Sequence, residues 1–273
     1  MDWSLLAKAA VMGLVEGATE FLPVSSTGHL IIARDWLHFL EGRKEVADTF
    51  EVVIQLGAIL AVVWLYRGKI WDVVRRIGRD EPANRLTTNL ILAFLPAAVV
   101  GFAAHHWIKE HLFNPVNVAI ALVVGGVAIL LIEAWHRNVT TESVDDIRPR
   151  TAIGVGLCQV LALIPGTSRS AATILGGVSL GLSRVAATEF SFFLAIPVMF
   201  AATGLDLVKG REFLSMADLP VFAVGFVVSF LSALFVIKAL LRFVASHTFR
   251  GFAWYRIAFG LLLLGWYYTH PTV

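Results

Sequence analysis

Apolar runs long enough to cross a bilayer alternate with short polar joints along this chain. A bilayer core takes about 20 residues of helix. Four runs, Leu86–Ala104, Val116–Trp135, Leu219–Leu241 and Phe252–Tyr268, are continuous at that scale. Two more, Phe50–Tyr66 and Phe190–Val208, span once their polar starts are accommodated. Two other stretches are apolar but broken. Leu5–Leu40 carries Glu16, Glu20, Pro23 and the run Ser25-Ser26-Thr27-Gly28; Ala152–Leu182 carries Pro165-Gly166 and Ser168-Arg169-Ser170. Proline removes a backbone donor and clashes with the preceding turn, so each stretch is predicted as two half-helices meeting at a polar tip. Such a tip is tolerated at membrane depth only where protein or a water-filled cavity satisfies its backbone. The predicted fold is an all-α integral membrane protein with six transmembrane helices and two re-entrant, broken helix pairs.

The order is a broken pair and three spans, then the same again. Pro23 aligns with Pro165, Ser25 with Thr167 and Ser26 with Ser168. Thr49-Phe50-Glu51 opens the span after the first tip, and Thr188-Glu189-Phe190 opens the span after the second. An echo of Val118–Gly125 in Arg256–Gly265 is less distinctive, because apolar runs match easily. The expected unit is one membrane domain over 1–273, with halves of roughly 1–136 and 151–273 joined by a cytoplasmic loop, 137–150. Three spans per half put the halves in opposite orientations, an inverted repeat.

Lysine and arginine bias orients such a chain. Arg67, Lys69, Arg75, Arg76, Arg79 and Arg85 fall on one face, with Arg137, Arg148, Arg150, Arg242 and Arg250. The other face receives Arg43, Lys44, Lys109, Lys209 and Arg211. The first face is expected to be cytoplasmic, with both termini outside and the first broken pair entering from the outer face.

Composition agrees with a bilayer. The chain is 58% hydrophobic and 15% charged, against about 25% charged in soluble domains; its mean hydropathy is +0.76. A net charge of +2, with no basic run interleaved with aromatics, argues against a nucleic-acid partner. The single cysteine, Cys158, excludes an internal disulfide. Met1-Asp2-Trp3 lacks a basic n-region, so no cleavable signal peptide is expected.

The chemistry gathers at the tips. Glu16 and Glu20 are four apart and share a helix face. Carboxylates that close require a shared proton, a cation or an arginine. The half-helix opening at Ser25-Ser26-Thr27-Gly28 offers free N–H groups, an anion site. Ser26 and His29, three apart, add a hydroxyl nucleophile and an imidazole beside the carboxylates. The plainer reading is helix capping by Ser25 or Ser26 and a stray histidine; within a bilayer the cost of polar groups favours function. At the second tip Cys158 and Ala162 stand in the places of Glu16 and Glu20, and Arg169 is gained. Its planar fork matches phosphate oxygens, and it can also neutralise a glutamate. Glu20 and His29 both remain candidate bases. Ser26, Glu20, His29, Glu16 and Arg169 are therefore the candidate catalytic set, with Ser25, Thr27, Gly166, Ser168, Ser170 and Thr173 as substrate-binding candidates and Glu16 and Glu20 as ligands for Mg²⁺ or Ca²⁺.

Weaker candidates are Glu51, Gln55 and Glu189, which either line the same cavity or sit at helix entrances. Arg256 is expected to pair with a carboxylate or to snorkel. Glu133, Asp206 and Lys238 read as interfacial, and His105, His106 and His111 as surface. P-loop, dinucleotide-binding and zinc motifs are absent from the sequence.

Glu16-Gly17-Ala18-Thr19-Glu20-Phe21-Leu22-Pro23-Val24-Ser25-Ser26-Thr27-Gly28-His29 and Pro165-Gly166-Thr167-Ser168-Arg169-Ser170-Ala171-Ala172-Thr173 resemble the two signatures of the bacterial undecaprenyl-diphosphate phosphatase family, the bacitracin-resistance type. The resemblance extends over essentially the whole chain, including Phe50–Gly57 and Ala187–Phe192. It implies a plasma-membrane enzyme, dependent on divalent cations, that removes the terminal phosphate of the C55 isoprenoid diphosphate carrier. The product returns to peptidoglycan synthesis, and the pool lies at the outer leaflet. The expected partners are the polyprenyl diphosphate and membrane lipids; a homodimer is left open. A polyprenyl-phosphate flippase or an anion transporter on the same inverted repeat is the alternative. The Glu–Ser–His constellation favours catalysis, because transport needs no nucleophile.

Overall fold

The computed structural model describes residues 3–112, 114–135, 138–210 and 215–269. Met1, Asp2, Arg137 and Arg211 lie outside the described residues, as do the side chains of His105, His106, Lys109, Asp206 and Lys209. The regular structure among the described residues is helical. In order these helices are α1 (Trp3–Thr19), α2 (Ser26–Trp36), α3 (Lys44–Leu65), α4 (Arg67–Arg76), α5 (Glu81–His111), α6 (Pro115–Ala134), α7 (Pro149–Val160), α8 (Arg169–Ser179), α9 (Arg184–Gly210), α10 (Leu219–Val244) and α11 (Arg250–Thr269).

Among the described residues, five segments are long and apolar enough to cross a membrane: Lys44–Leu65, Glu81–Ala104, Pro115–Ala134, Arg184–Gly204 and Met216–Val244. The chain is thus a multi-pass, all-helical membrane protein. The sixth expected span does form a helix, α11, of 20 residues and so about 30 Å long. Arg256, Trp254, Tyr255, Trp266, Tyr267 and Tyr268 keep it below the apolarity of the other five. The connection Arg67–Arg85 is not a plain loop but carries α4, a short helix with no buried residue. Arg75 stacks 4.4 Å over the Trp71 ring, and Trp71 and Val74 are exposed.

Both broken pairs are present. α1 stops at Thr19 and α2 starts at Ser26; α7 stops at Val160, runs through a 3₁₀ turn, Leu161–Leu163, and gives way to α8 at Arg169. Each pair packs its two halves together and its longer half on a span: α1 lies along α10, and α7 along α5. Small residues allow these approaches, as van der Waals packing in lipid requires. A Cβ at Gly13 would collide with the carbonyl of Gly225, and one at Gly156 with the backbone of Ala93. α6 and α11 pack by the same means, Gly126 against Ala253 and Gly260 against Ala119. The Ser229 hydroxyl donates to the Ile54 carbonyl at 2.7 Å and ties α10 to α3.

Loops that the charge pattern groups together are joined to one another. Lys69 pairs with Asp145 at 2.8 Å and Arg85 Nε donates to the Asp145 carbonyl at 2.7 Å. Arg43 grips Asp218 with both terminal nitrogens, at 2.8 and 3.0 Å. Glu133, at the end of α6, has a buried side chain that accepts from Arg184 at 3.0 and 2.6 Å and from the Phe249 amide at 3.0 Å.

Candidate active site

Two serines with left-handed backbone open the half-helices. Ser25 has φ 72° and precedes α2; Ser168 has φ 72° and precedes α8. A non-glycine residue there costs about 1–2 kcal/mol, and such strain persists where surrounding structure enforces it, commonly at functional sites. Superposing the two tips on this shared feature gives a register for comparing them. Ser25 matches Ser168, one position from the alignment made through the prolines. Gln159, rather than Cys158, therefore stands opposite Glu16; it is buried and donates to the Ala93 carbonyl at 3.4 Å.

The tips meet at Glu20. The Ser26 hydroxyl donates to Glu20 Oε2 at 2.6 Å. Arg169 Nη2 donates to Glu20 Oε1 at 3.3 Å, and its Nη1 to the Ser191 carbonyl at 3.2 Å. One carboxylate thus touches both the hydroxyl of the first tip and the guanidinium of the second. Glu16, one turn earlier, is fully buried, and among the described residues no donor reaches its carboxylate oxygens, which face the carboxylate of Glu20. The charged groups acting on it are Glu20, Glu51 and Arg169. Glu51 accepts from Arg34 at 3.2 Å, and Arg34 also pairs with Asp48 at 2.7 Å. Gln55 is half-buried, whereas Glu189 accepts from the Tyr66 hydroxyl at 3.1 Å near the start of α9.

The remaining tip residues divide by what their polar atoms do. The Ser170 hydroxyl donates to the Leu22 carbonyl at 2.7 Å, a direct bond between tips. Thr173 donates to the Arg169 carbonyl at 2.9 Å and contacts the Ser191 hydroxyl at 2.6 Å. Both side chains are buried and hold the second tip together. Ser168 caps α8, accepting from the Ala171 amide at 3.2 Å. The Ser25 side chain makes no cap bond, and Thr27 lies half-buried in the first turn of α2. Gly166 has φ +92°, and a Cβ there would collide with the Val118 carbonyl. Gly166→Ala should accordingly destabilise the fold by roughly 1–3 kcal/mol, read as a lowered Tm in detergent; an unchanged Tm would mean that this approach is not required.

His29 does not bond to Ser26. Its Nδ1 lies 2.7 Å from the Ser25 carbonyl and its Nε2 2.6 Å from the Tyr255 hydroxyl. A carbonyl only accepts, so Nδ1 carries a proton, and in the neutral ring Nε2 then accepts from Tyr255. The ring stacks on Phe259 at 4.4 Å and on Tyr255 at 5.7 Å. Tyr255 and Phe259 have no sequence signal near either tip. Arg256 neither pairs with a carboxylate nor snorkels: it is fully buried and bound by backbone carbonyls, including Pro23, Gly166 and Thr167 of the two tips.

Comparison with known proteins bears on this geometry. The family model described as Bacitracin resistance protein BacA matches residues 9–262. The chain is 55% identical over 265 residues to the undecaprenyl-diphosphatase of Laribacter hongkongensis, covering 97% of this chain and 96% of that protein. It is 57% identical over 264 residues to the undecaprenyl-diphosphatase of Nitrosospira multiformis, covering 97% and 96%. With the protein of the same name from Ectopseudomonas mendocina it shares 52% over 270 residues, covering 99% and 97%.

Proposed function

The chain belongs to the bacitracin resistance protein BacA family, and we infer that it is an undecaprenyl-diphosphatase: it hydrolyses undecaprenyl diphosphate to undecaprenyl phosphate and phosphate, returning the lipid carrier to peptidoglycan synthesis. The observation that carries the reading is the chain Ser26–Glu20–Arg169, which links a hydroxyl, a base and a phosphate-matching cation across the two tips. Purified protein in detergent should release phosphate from undecaprenyl diphosphate. A carrier, which needs no nucleophile, would release none.

The polyprenyl tail stays in lipid and the diphosphate enters between the tips. Arg169 and the N–H groups at the starts of α2 and α8 hold the phosphate oxygens. Ser26 Oγ attacks the terminal phosphorus while its proton passes to Glu20, the base already 2.6 Å away. The O–P bond to undecaprenyl phosphate breaks, and that product leaves with the bridging oxygen. Water then attacks phospho-Ser26, Glu20 orients it, and phosphate departs as the serine regains its proton. His29, held by Ser25 and Tyr255, orders the first turn of α2 rather than acting as base on Ser26.

Glu16 and Glu20 fit a divalent cation. The two oxygens of Glu16 are buried with no donor among the described residues, and they face a second carboxylate, Glu20, one turn away. Two carboxylates are enough to hold Mg²⁺, which is commonly bound by one or two carboxylates together with substrate phosphates and water; Ca²⁺ would need further oxygen ligands from substrate and solvent. An ion held by Glu16 and Glu20 would offset the charge of the diphosphate. Chelation should stop turnover and added Mg²⁺ or Ca²⁺ restore it, with Glu16→Gln raising the concentration required at least tenfold. Undiminished activity in excess chelator would remove the ion from the reaction.

The repeat halves 1–136 and 151–273 form an inverted repeat of six spans, joined on the cytoplasmic side of the bacterial inner membrane, with the site opening to the outer face. Supporting this are the equivalent packing of α1 on α10 and α7 on α5, the matched φ of Ser25 and Ser168, and the arginine bias of the loops. A His29→Cys variant, in a Cys158→Ala background, should react with an impermeant thiol reagent added outside intact cells. Labelling from inverted vesicles alone would reverse the orientation, and labelling from both sides would favour alternating access.

A further inference from the structure

α11 buries a cation that no carboxylate neutralises. Arg256 is 0% exposed, and among the described residues it takes part in no ion pair. Its donors meet five carbonyls instead. Nε reaches Leu122 at 3.3 Å; Nη1 reaches Pro23 at 3.2 Å and Thr167 at 3.0 Å; Nη2 reaches Ala121 at 3.2 Å and Gly166 at 3.0 Å. A guanidinium has five N–H groups in a fixed fork, so five acceptors from three segments use its whole donor set. Burying an arginine without a counter-ion is costly, and this chain does so where the two tips meet.

The bonded carbonyls sit just before the reacting groups. Pro23 is three residues before Ser26, and Thr167 two before Arg169. Because each peptide is planar and trans, turning the Thr167 oxygen toward Arg256 turns the Ser168 N–H, at the start of α8, the opposite way. Both ends of the site therefore take their backbone orientation from one side chain, anchored to α6 through Ala121 and Leu122.

We propose that Arg256 is a positioning residue that locks the two tips to each other, so that Ser26 and Arg169 meet the same phosphoryl group. The proposal rests on the diphosphatase reading. What it requires is the fork rather than the charge, because a lysine ammonium has only three donors.

Two variants test it. Arg256→Lys keeps the charge and loses the fork. Gly125→Ala leaves Arg256 in place but puts a Cβ against Nη2 and within 2.8 Å of Cζ, displacing the guanidinium. Each should lower kcat by on the order of 10²-fold, the scale of a displacement of about 1 Å. KM should change less than about threefold and the Tm in detergent by only a few degrees. Amide exchange over 22–27 and 165–170 should speed up in both. Gly265→Ala, facing open space, should match wild type. Retention of kcat within about threefold in either variant would overturn the proposal, as would a raised KM with kcat unchanged. Loss of folded protein in both would assign Arg256 to stability alone and also overturn it. Absence of phosphate release by wild type would instead refute the diphosphatase reading, while the exchange comparison still judges the clamp.

Discussion

Ser26→Ala should lower phosphate release by on the order of 10⁴-fold or more, the scale seen when an activated nucleophile is removed, with Tm nearly unchanged. The Ser26 hydroxyl is the tip hydroxyl bonded to a carboxylate, at 2.6 Å. Three others at the tips are committed elsewhere: Ser170 to the Leu22 carbonyl, Thr173 to the Arg169 carbonyl, Ser168 to the α8 cap. Ser26 does not cap α2; Ser25 occupies that position, and its side chain makes no cap bond. The alanine therefore removes the nucleophile without unseating the helix. Ser25→Ala should lose less than about tenfold. Near-normal release by Ser26→Ala together with its loss in Ser25→Ala would transfer the role to the neighbouring serine. Phosphate release in detergent, alongside Tm, decides between them.

Arg169→Lys should fail almost as badly as Arg169→Ala, each losing on the order of 10²–10³-fold in kcat, as for removal of one transition-state donor. Arg169 reaches Glu20 with one terminal nitrogen and the Ser191 carbonyl with the other, while its buried Nε has no partner. Substrate phosphate oxygens can take up that Nε and share the fork; an ammonium cannot reproduce the paired geometry. Full activity in the lysine variant would mean that the site needs only positive charge. A raised KM with kcat unchanged would mean that Arg169 holds ground state and transition state equally.

Local signals made the spans and breaks legible in the sequence. Length, apolarity and the two prolines suffice to place α3, α5, α6, α9 and α10 and both broken pairs. Glu16, Glu20, Ser26 and Arg169 were visible because a bilayer makes polar residues conspicuous. The unreadable features depend on distance or on backbone. Tyr255 meets His29 across 226 residues, with no local trace at either end, so the three-residue spacing of Ser26 and His29 suggested a pairing that the fold does not make. Arg256 was misread because its partners are carbonyls, which no residue type announces. Where each half-helix begins is likewise a backbone matter: Ser25 and Ser168, with their left-handed φ, precede α2 and α8, and proline spacing alone does not mark those positions.

The most direct test of the account is to catch the phosphoryl group on the enzyme. Wild-type protein, mixed with undecaprenyl diphosphate labelled in its terminal phosphate and quenched in acid within the first turnovers, should carry label on Ser26. The label should vanish in Ser26→Ala and appear at a rate no slower than phosphate release. Unlabelled enzyme during undiminished turnover would contradict the account and give the attack to water, and label on another residue would place the nucleophile elsewhere.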